Sequence, residues 1–125
     1  MTRALQLNWK GYYDYTEINV QKFAPTKAGV YKISFEQQNG KLLVRYVGQT
    51  DNLDRRLKEH LDIENEQNEY LRERLRKYRA SFSFAEISTQ SDRDCAEKAL
   101  YDYYEPLCNN ADAIPDMEPL NINFT

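Results

Sequence analysis

Two phenols, a guanidinium and an imidazole fall within one short stretch of this 125-residue chain. Tyr31 ends the tripeptide Gly29-Val30-Tyr31, and Tyr46 opens the tripeptide Tyr46-Val47-Gly48 fifteen residues later. Arg56 follows the second tyrosine by ten residues and His60 follows it by fourteen. Arginine offers fixed, always-charged donors that suit a phosphate oxygen. Histidine titrates near neutrality and so serves as base or proton carrier. An unperturbed phenol, with a pKa near ~10, stays mostly protonated unless a neighbouring cation lowers it.

The local pattern supplies elements to hold these groups. From Gly29 onward Val30, Lys32, Ser34 and Glu36 point one way while Tyr31, Ile33 and Phe35 point the other, as strand residues do. Between the two runs, Gln37-Gln38-Asn39-Gly40 carries an Asn-Gly pair suited to a tight turn, which predicts a β-hairpin. After Gly48, Thr50, Asp51 and Asn52 are all N-cap types, and Asp54 adds an acid to the first turn of a helix. Leu53, Leu57 and Leu61 give that helix an apolar stripe, and Arg56 and His60, also four apart, share the neighbouring face.

Gly29-Val30-Tyr31 and Tyr46-Val47-Gly48, each with one conservative aliphatic change, resemble the signature of the GIY-YIG nuclease family. The resemblance runs on through Asn52-Leu53, Arg56-Leu57 and His60. It ends with Glu97, Pro106 nine residues later and Asn109 three beyond that. A single tripeptide arises easily by chance, whereas six polar positions in order across about eighty residues do not. The resemblance covers roughly residues 28–110. Two departures stand out: the tyrosines are further apart than is usual, consistent with a longer hairpin, and Gln49 replaces a lysine that many members carry after the second tripeptide.

The resemblance implies hydrolysis of DNA phosphodiester bonds at a one-metal site. Such a reaction needs an activated water, cancellation of charge growing on the phosphoryl oxygens, and help for the departing 3′ oxygen. Glu97 is then the metal ligand, a hard oxygen donor of the kind Mg²⁺ takes singly or in pairs while keeping waters, with Mn²⁺ as a substitute. Arg56 meets a non-bridging oxygen. Tyr31 is the base, with His60 and Tyr46 as hydrogen-bonding and proton-passing neighbours, and His60 is the other candidate for the base. Asn109 positions groups around the phosphate or braces the loop after the last helix. Family members that choose a target borrow specificity from an attached domain or a protein partner, and a homodimer is compatible with two-strand cutting but not required.

Further along, Tyr70 to Arg79 is helical in pattern, with Leu71, Leu75 and Tyr78 on one stripe and Arg72, Arg76 and Arg79 one residue on. Those arginines, with Gln49, are candidates for contacting nucleic acid through its phosphates. They suit equally a solvated face paired to the acids of residues 62–69. Ser81 to Ile87 alternates as a third strand. Ser91 opens a third helix with Asp94 as its capping partner; Cys95, Ala96, Ala99, Leu100 and Tyr103 form its buried stripe, and Pro106 stops it. Three tyrosines, Tyr12, Tyr13 and Tyr15, have no clean period around them, and they either stack on bases or cover the sheet. The order β, β, α, α, β, α predicts an α+β fold with a small three-stranded β-sheet flanked by helices.

The length predicts one domain over residues 1–125, with the motif-bearing core at about 28–110, an N-terminal extension over 1–27 and a C-terminal tail over 111–125. That tail is expected to lie irregularly over the domain or to be partly disordered. The formal charge of −3 is a weak argument against nucleic acid, yet it is unevenly spread. Residues 1–80 hold 15 Lys or Arg against 11 Asp or Glu, and residues 81–125 hold 2 against 9. Cys95 and Cys108 lack a paired-thiol metal spacing and read as reduced thiols. With no signal-peptide pattern and no run near ~20 apolar residues, the chain reads as cytoplasmic, with no membrane contact. The alternative function is a non-catalytic module that keeps the fold and binds nucleic acid or protein. The two part on geometry, since only an enzyme needs Tyr31, Tyr46, Arg56, His60 and Glu97 gathered in one place.

Overall fold

The alternation around Asn39-Gly40 folds as a hairpin. In the computed structural model β3 (Gly29–Glu36) and β4 (Leu42–Thr50) pair antiparallel, with Tyr31 opposite Gly48 and Ile33 opposite Tyr46. Gly40 takes φ +82° and its N–H donates to the Gln37 carbonyl at 2.9 Å; lacking a Cβ, glycine enters that left-handed region without steric cost. The register slips between Ile33 and Ser34, leaving Arg45 as the extra residue of a bulge. The structure describes residues 4–118 and 120–125. Met1–Arg3, at the start of the expected N-terminal extension, and Pro119 in the tail lie outside the described residues.

The main sheet has four strands, not the expected three, in the order β2-β5-β3-β4, all antiparallel. The fourth is β2 (Lys10–Asp14), which adds to the outer edge of β5 (Ala80–Glu86). Its register with β5 shifts between Lys10 and Tyr13. That irregularity breaks the period of two by which a strand is recognised. With neighbours on both sides β3 is buried along nearly its whole length, and β5 is likewise buried on both faces, its serines included.

Helices cover both faces. On one lie α1 (Glu17–Phe23), α2 (Leu53–Leu61) and α3 (Glu69–Lys77), burying Val20, Leu53, Leu57 and Leu71 against Tyr31, Ile33, Phe35 and Phe82. On the other lies α4 (Gln90–Tyr104), burying Ala96 and Leu100 against Val30, Val44, Val47 and Ala85. Asn52 caps α2, its side chain accepting from the N–H of Arg55, and Asn68 caps α3 in the same way through Leu71. The three N-terminal tyrosines are occupied within the fold. Tyr15 is buried and donates to the Leu57 carbonyl at 2.6 Å, Tyr13 stacks on Phe23 at 4.0 Å, and Tyr12 lies near the amine of Lys32.

Two details of α4 differ from expectation. It begins at Gln90, and Thr89 in the N-cap position makes no side-chain capping bond. Ser91 lies inside the helix, so Asp94 is not its capping partner and accepts from the side-chain amides of Gln49 and Gln90. Arg93 secures the start of the helix instead, donating to the carbonyls of Ile87 and Ser88 at 3.0 and 2.9 Å. Tyr103, expected in the buried stripe, is 60% exposed and stacks on Phe124 of the tail at 3.9 Å.

The tail is laid over the α4 face. Its strand β6 (Asn121–Ile122) pairs in parallel with β1 (Ala4–Leu5), and Leu120 and Ile122 are buried. Asn123 exchanges two hydrogen bonds with the backbone of Leu7, and Phe124 offers its carbonyl to Lys32 Nζ at 2.6 Å. Lys32 is only 1% exposed, with Nζ 4.1 Å from the centre of the Trp9 ring. Burial lowers its pKa to about 8. Among the described residues no helix is long and apolar enough to cross a membrane, and both cysteines are free.

Candidate active site

The site is built on the free edge of β4, where α2 approaches from one face of the sheet and α4 from the other. Tyr31 projects from β3 toward α2, and its hydroxyl lies 2.8 Å from Nε2 of His60. Tyr46 is the next ring along, 6.1 Å from the Tyr31 ring and 5.1 Å from the imidazole, centre to centre. The Arg56 guanidinium and the Tyr46 hydroxyl both interact with the Tyr31 oxygen. Tyr31 and His60 are fully enclosed, whereas Tyr46 and Arg56 are half-buried and reach solvent. The four groups that the hairpin-and-helix reading placed together are therefore in contact.

Both signature glycines are explained by close approach. A Cβ on Gly48 would lie 2.5 Å from the Tyr31 ring, and one on Gly29 would lie 2.3 Å from the Ala85 carbonyl oxygen. Any side chain at position 48 displaces the phenol opposite it, so glycine there is what lets Tyr31 lie flat across β4.

Burial sets the protonation states. It pushes the Tyr31 phenol well above its usual range, and the nearby Arg56 charge offsets only part of that rise. The resting phenol is consequently a proton donor, and the lowered pKa that a base needs at the outset is not present. Burial also lowers His60, which favours the neutral ring, and Nε2 of that ring is the atom that meets the Tyr31 hydroxyl. A residue that the sequence pattern did not single out completes the chain: Glu66, whose Oε2 lies 2.6 Å from Nδ1 of His60. Six residues is no helical repeat. The two meet only because a 3₁₀ turn at Ile63–Asn65 folds the chain back.

Glu97 enters from α4 and is 9% exposed. Its carboxylate faces Tyr46 electrostatically across the β4 edge. Burial raises its pKa to about 7, with the Gln49 amide lowering it and the charge of Asp94 raising it. A largely buried carboxylate with no ion pair among the described residues is suited to a metal ion. Among the described residues no group of three or more His, Cys, Asp or Glu side chains converges. One hard oxygen fits Mg²⁺, which keeps most of its ligands as water.

Asn109 has a different position from the other five. Its side chain accepts from the N–H of Val47 and donates to the carbonyl of Val47, each at 2.8 Å. The N–H of Cys108 adds a bond to the Arg45 carbonyl at 2.9 Å. The loop after α4 thus completes the unpaired edge of β4 like a fragment of strand, holding the peptide between Tyr46 and Gly48.

The candidate nucleic-acid contacts are partly occupied within the fold. Gln49 is turned to α4, where it bonds Asp94 and Gln90. Arg72 donates to the Glu66 carbonyl at 3.3 Å and lies near Glu73, Arg76 pairs with Glu73, and Arg79 makes two bonds of 3.0 Å to Asp14. A groove of about 730 Å³ is lined by none of Tyr31, Tyr46 and Glu97. It runs between the hairpin turn and the end of α3, lined by Arg74, Lys77, Tyr78 and Arg79.

Comparison with known proteins gives a consistent result. A family model described as the GIY-YIG catalytic domain matches residues 27–110. Among solved structures the fold is similar to the GIY-YIG N-terminal endonuclease domain of UvrC from Thermotoga maritima bound to magnesium. That match has a TM-score of 0.55 and 23% identity, over 74% of this chain and 97% of that one. Two point mutants of the same domain, each bound to its catalytic divalent cation, match at TM-score 0.55 and 22% identity over 74% of this chain. One carries phenylalanine for a tyrosine and the other alanine for an asparagine, and each is covered over 96%. No curated protein matches the chain.

Proposed function

The chain belongs to the GIY-YIG family, and from that premise we propose that it is a divalent-metal-dependent endonuclease that hydrolyses DNA phosphodiester bonds. The observation that carries this reading is the convergence at the β4 edge. Tyr31 is bonded to His60, Tyr46 and Arg56 interact with the same phenolic oxygen, and Glu97 faces Tyr46 from the opposite side of the sheet.

Glu97 would hold the Mg²⁺, which when bound would supply Lewis-acid stabilisation of charge on the phosphoryl oxygens. Arg56, half-exposed and permanently charged, grips a non-bridging oxygen and orients the phosphate. Its weak partner Glu59, 3.6 Å away and half-exposed, is readily exchanged for an anion. Tyr31 acts as base in a relay. As a water proton arrives from the Tyr46 side, the phenol passes its own hydrogen to Nε2 of His60, so no phenolate has to pre-exist in the buried site. Tyr46 stands between solvent and Tyr31 and conducts that proton. Asn109 acts on chemistry through β4, by fixing the edge that carries Tyr46.

Incubating purified protein with supercoiled, linear and branched DNA in Mg²⁺ or Mn²⁺ tests the reading, with Glu97→Ala as control. Cleavage by the parent protein that is lost in the variant and in chelator supports it. Cleavage that persists unchanged in Glu97→Ala, or absent from the parent on every DNA shape, overturns it.

A further inference from the structure

The His60 imidazole is held from both sides. Tyr31 contacts Nε2 at 2.8 Å and Glu66 contacts Nδ1 at 2.6 Å, with the side chains of His60 and Glu66 0% and 6% exposed. Glu66 is fixed in turn, since its second oxygen accepts the N–H of Asn68 at 3.0 Å. Asn68 is itself tied down, capping α3 through Leu71 and donating to the Cys108 carbonyl at 2.6 Å. The other groups near the ring are Tyr46, packed edge-on, and the charges of Arg56 and Glu59 on the same helix.

A carboxylate only accepts hydrogen bonds, so the nitrogen facing it carries the hydrogen. A neutral imidazole has one such hydrogen, which leaves the opposite nitrogen with a bare lone pair. We propose that Glu66 is a positioning residue that holds His60 in the Nδ1–H form, making Nε2 the acceptor for the Tyr31 proton and stabilising the imidazolium once that proton arrives. This rests on the nuclease reading for its catalytic part, while the state of the ring stands on the geometry alone.

The proton balance closes through solvent. The O–H bond of Tyr31 breaks as an N–H bond forms at Nε2, and the phenolic oxygen takes the proton of the attacking water. The imidazolium then bears hydrogens on both nitrogens, one of them against the Glu66 carboxylate. Release of the extra proton to solvent through Tyr31 and Tyr46 restores the resting state, while the departing 3′ oxygen, on the far side of the phosphorus, takes a proton from solvent water. The role resembles that of the acid in a serine-protease triad, where loss of the oriented tautomer costs about 10⁴ in kcat.

The chain has one histidine, so ¹⁵N-histidine labelling gives ring signals that need no assignment. In the metal-free parent protein Nδ1 should read as protonated and Nε2 as a bare acceptor. Glu66→Ala should bring in the form with the hydrogen on Nε2, and Glu66→Gln, whose single amide oxygen cannot accept from both Nδ1 and the Asn68 N–H, should do so in part. In cleavage assays Glu66→Gln should lower kcat about 10²–10⁴-fold with KM unchanged and alter the pH profile, because the uncharged amide no longer stabilises the imidazolium. A parent ring with its hydrogen on Nε2, a tautomer unmoved in folded Glu66→Ala, or parental kcat in Glu66→Gln each overturns the proposal. Should the parent protein fail to cut any DNA, the nuclease reading and the catalytic part fall together, and the ring signals still decide the tautomer.

Discussion

At the scale of single residues, the site turns on one contrast between phenols. Tyr31 is sealed beneath the sheet edge and linked to His60, while Tyr46 in the same cluster meets solvent. Tyr31→Phe keeps the ring that fills the space opposite Gly48 and removes only the hydroxyl. Cleavage should fall about 10²–10⁴-fold, the range set by loss of a positioned proton-transfer group. The melting temperature should fall modestly, because the contacts of the hydroxyl with His60, Arg56 and Tyr46 are lost together while the ring stays packed, and each neutral bond is worth roughly 0.5–1.5 kcal/mol. Single-turnover rates alongside melting curves check both; a variant that is unstable instead of inactive points to a packing role for the hydroxyl. Gly48→Ala is the steric counterpart. Its Cβ would overlap the Tyr31 ring, so both stability, by about 1–3 kcal/mol, and activity should drop together in the same two measurements.

At the scale of elements, what the sequence made legible and what it hid divide on local period. The hairpin, α2 and its Arg56–His60 face, and α3 were legible because each repeats its pattern for two or more turns or pleats. β2 was hidden by a register shift, and the 3₁₀ turn that delivers Glu66 has no period at all. The start of α4 was misread because Ser91, an apt capping type, lies one residue inside the helix, and Asp94 bonds Gln49 and Gln90. The part of Asn109 depends on a tertiary match between a loop and an open strand edge, which no spacing encodes. Asn109→Ala should cost about 1–3 kcal/mol for its two bonds to Val47. It should also raise amide exchange in β4 relative to β3, as measured by hydrogen exchange. Lys32 offers a second test at this scale, since it joins β3 to the tail through Phe124. Its pKa is about 8 in the fold against an ordinary 10.5, so the unfolded chain binds the extra proton between those values. Stability contributed by this group therefore rises as pH climbs through that window. The melting temperature of the parent protein, relative to Lys32→Met, should rise between pH 8 and 10, and a constant difference would show that the amine keeps its proton throughout.

At the scale of the whole molecule, charge is distributed so that one side can receive a polyanion. The residues after position 80 carry 2 basic against 9 acidic groups, so α4 and the tail repel phosphate. The excess of cations lies on the side of α2 and α3. There Arg72, Arg76 and Arg79 are engaged by internal acceptors or acids, whereas Arg74 and Lys77 line the large groove beside the hairpin turn and form no ion pair among the described residues. Arg74 also lies over the Tyr78 ring and is bonded to the Cys108 thiol. A duplex whose scissile phosphate sits at Arg56 gains most by running its backbone toward this pair. Contacts of that kind add affinity without reading sequence, and each releases about one counterion. Binding of fluorescently labelled duplex, measured by anisotropy over a range of salt in Ca²⁺ to limit cutting, should therefore weaken in Arg74→Gln/Lys77→Gln by a similar factor for unrelated sequences. The slope of log affinity against log salt should become shallower by about two. An unchanged slope would place the flanking DNA elsewhere and leave Arg56 as the main phosphate contact on this side. A loss confined to one sequence would instead mean that the groove reads bases.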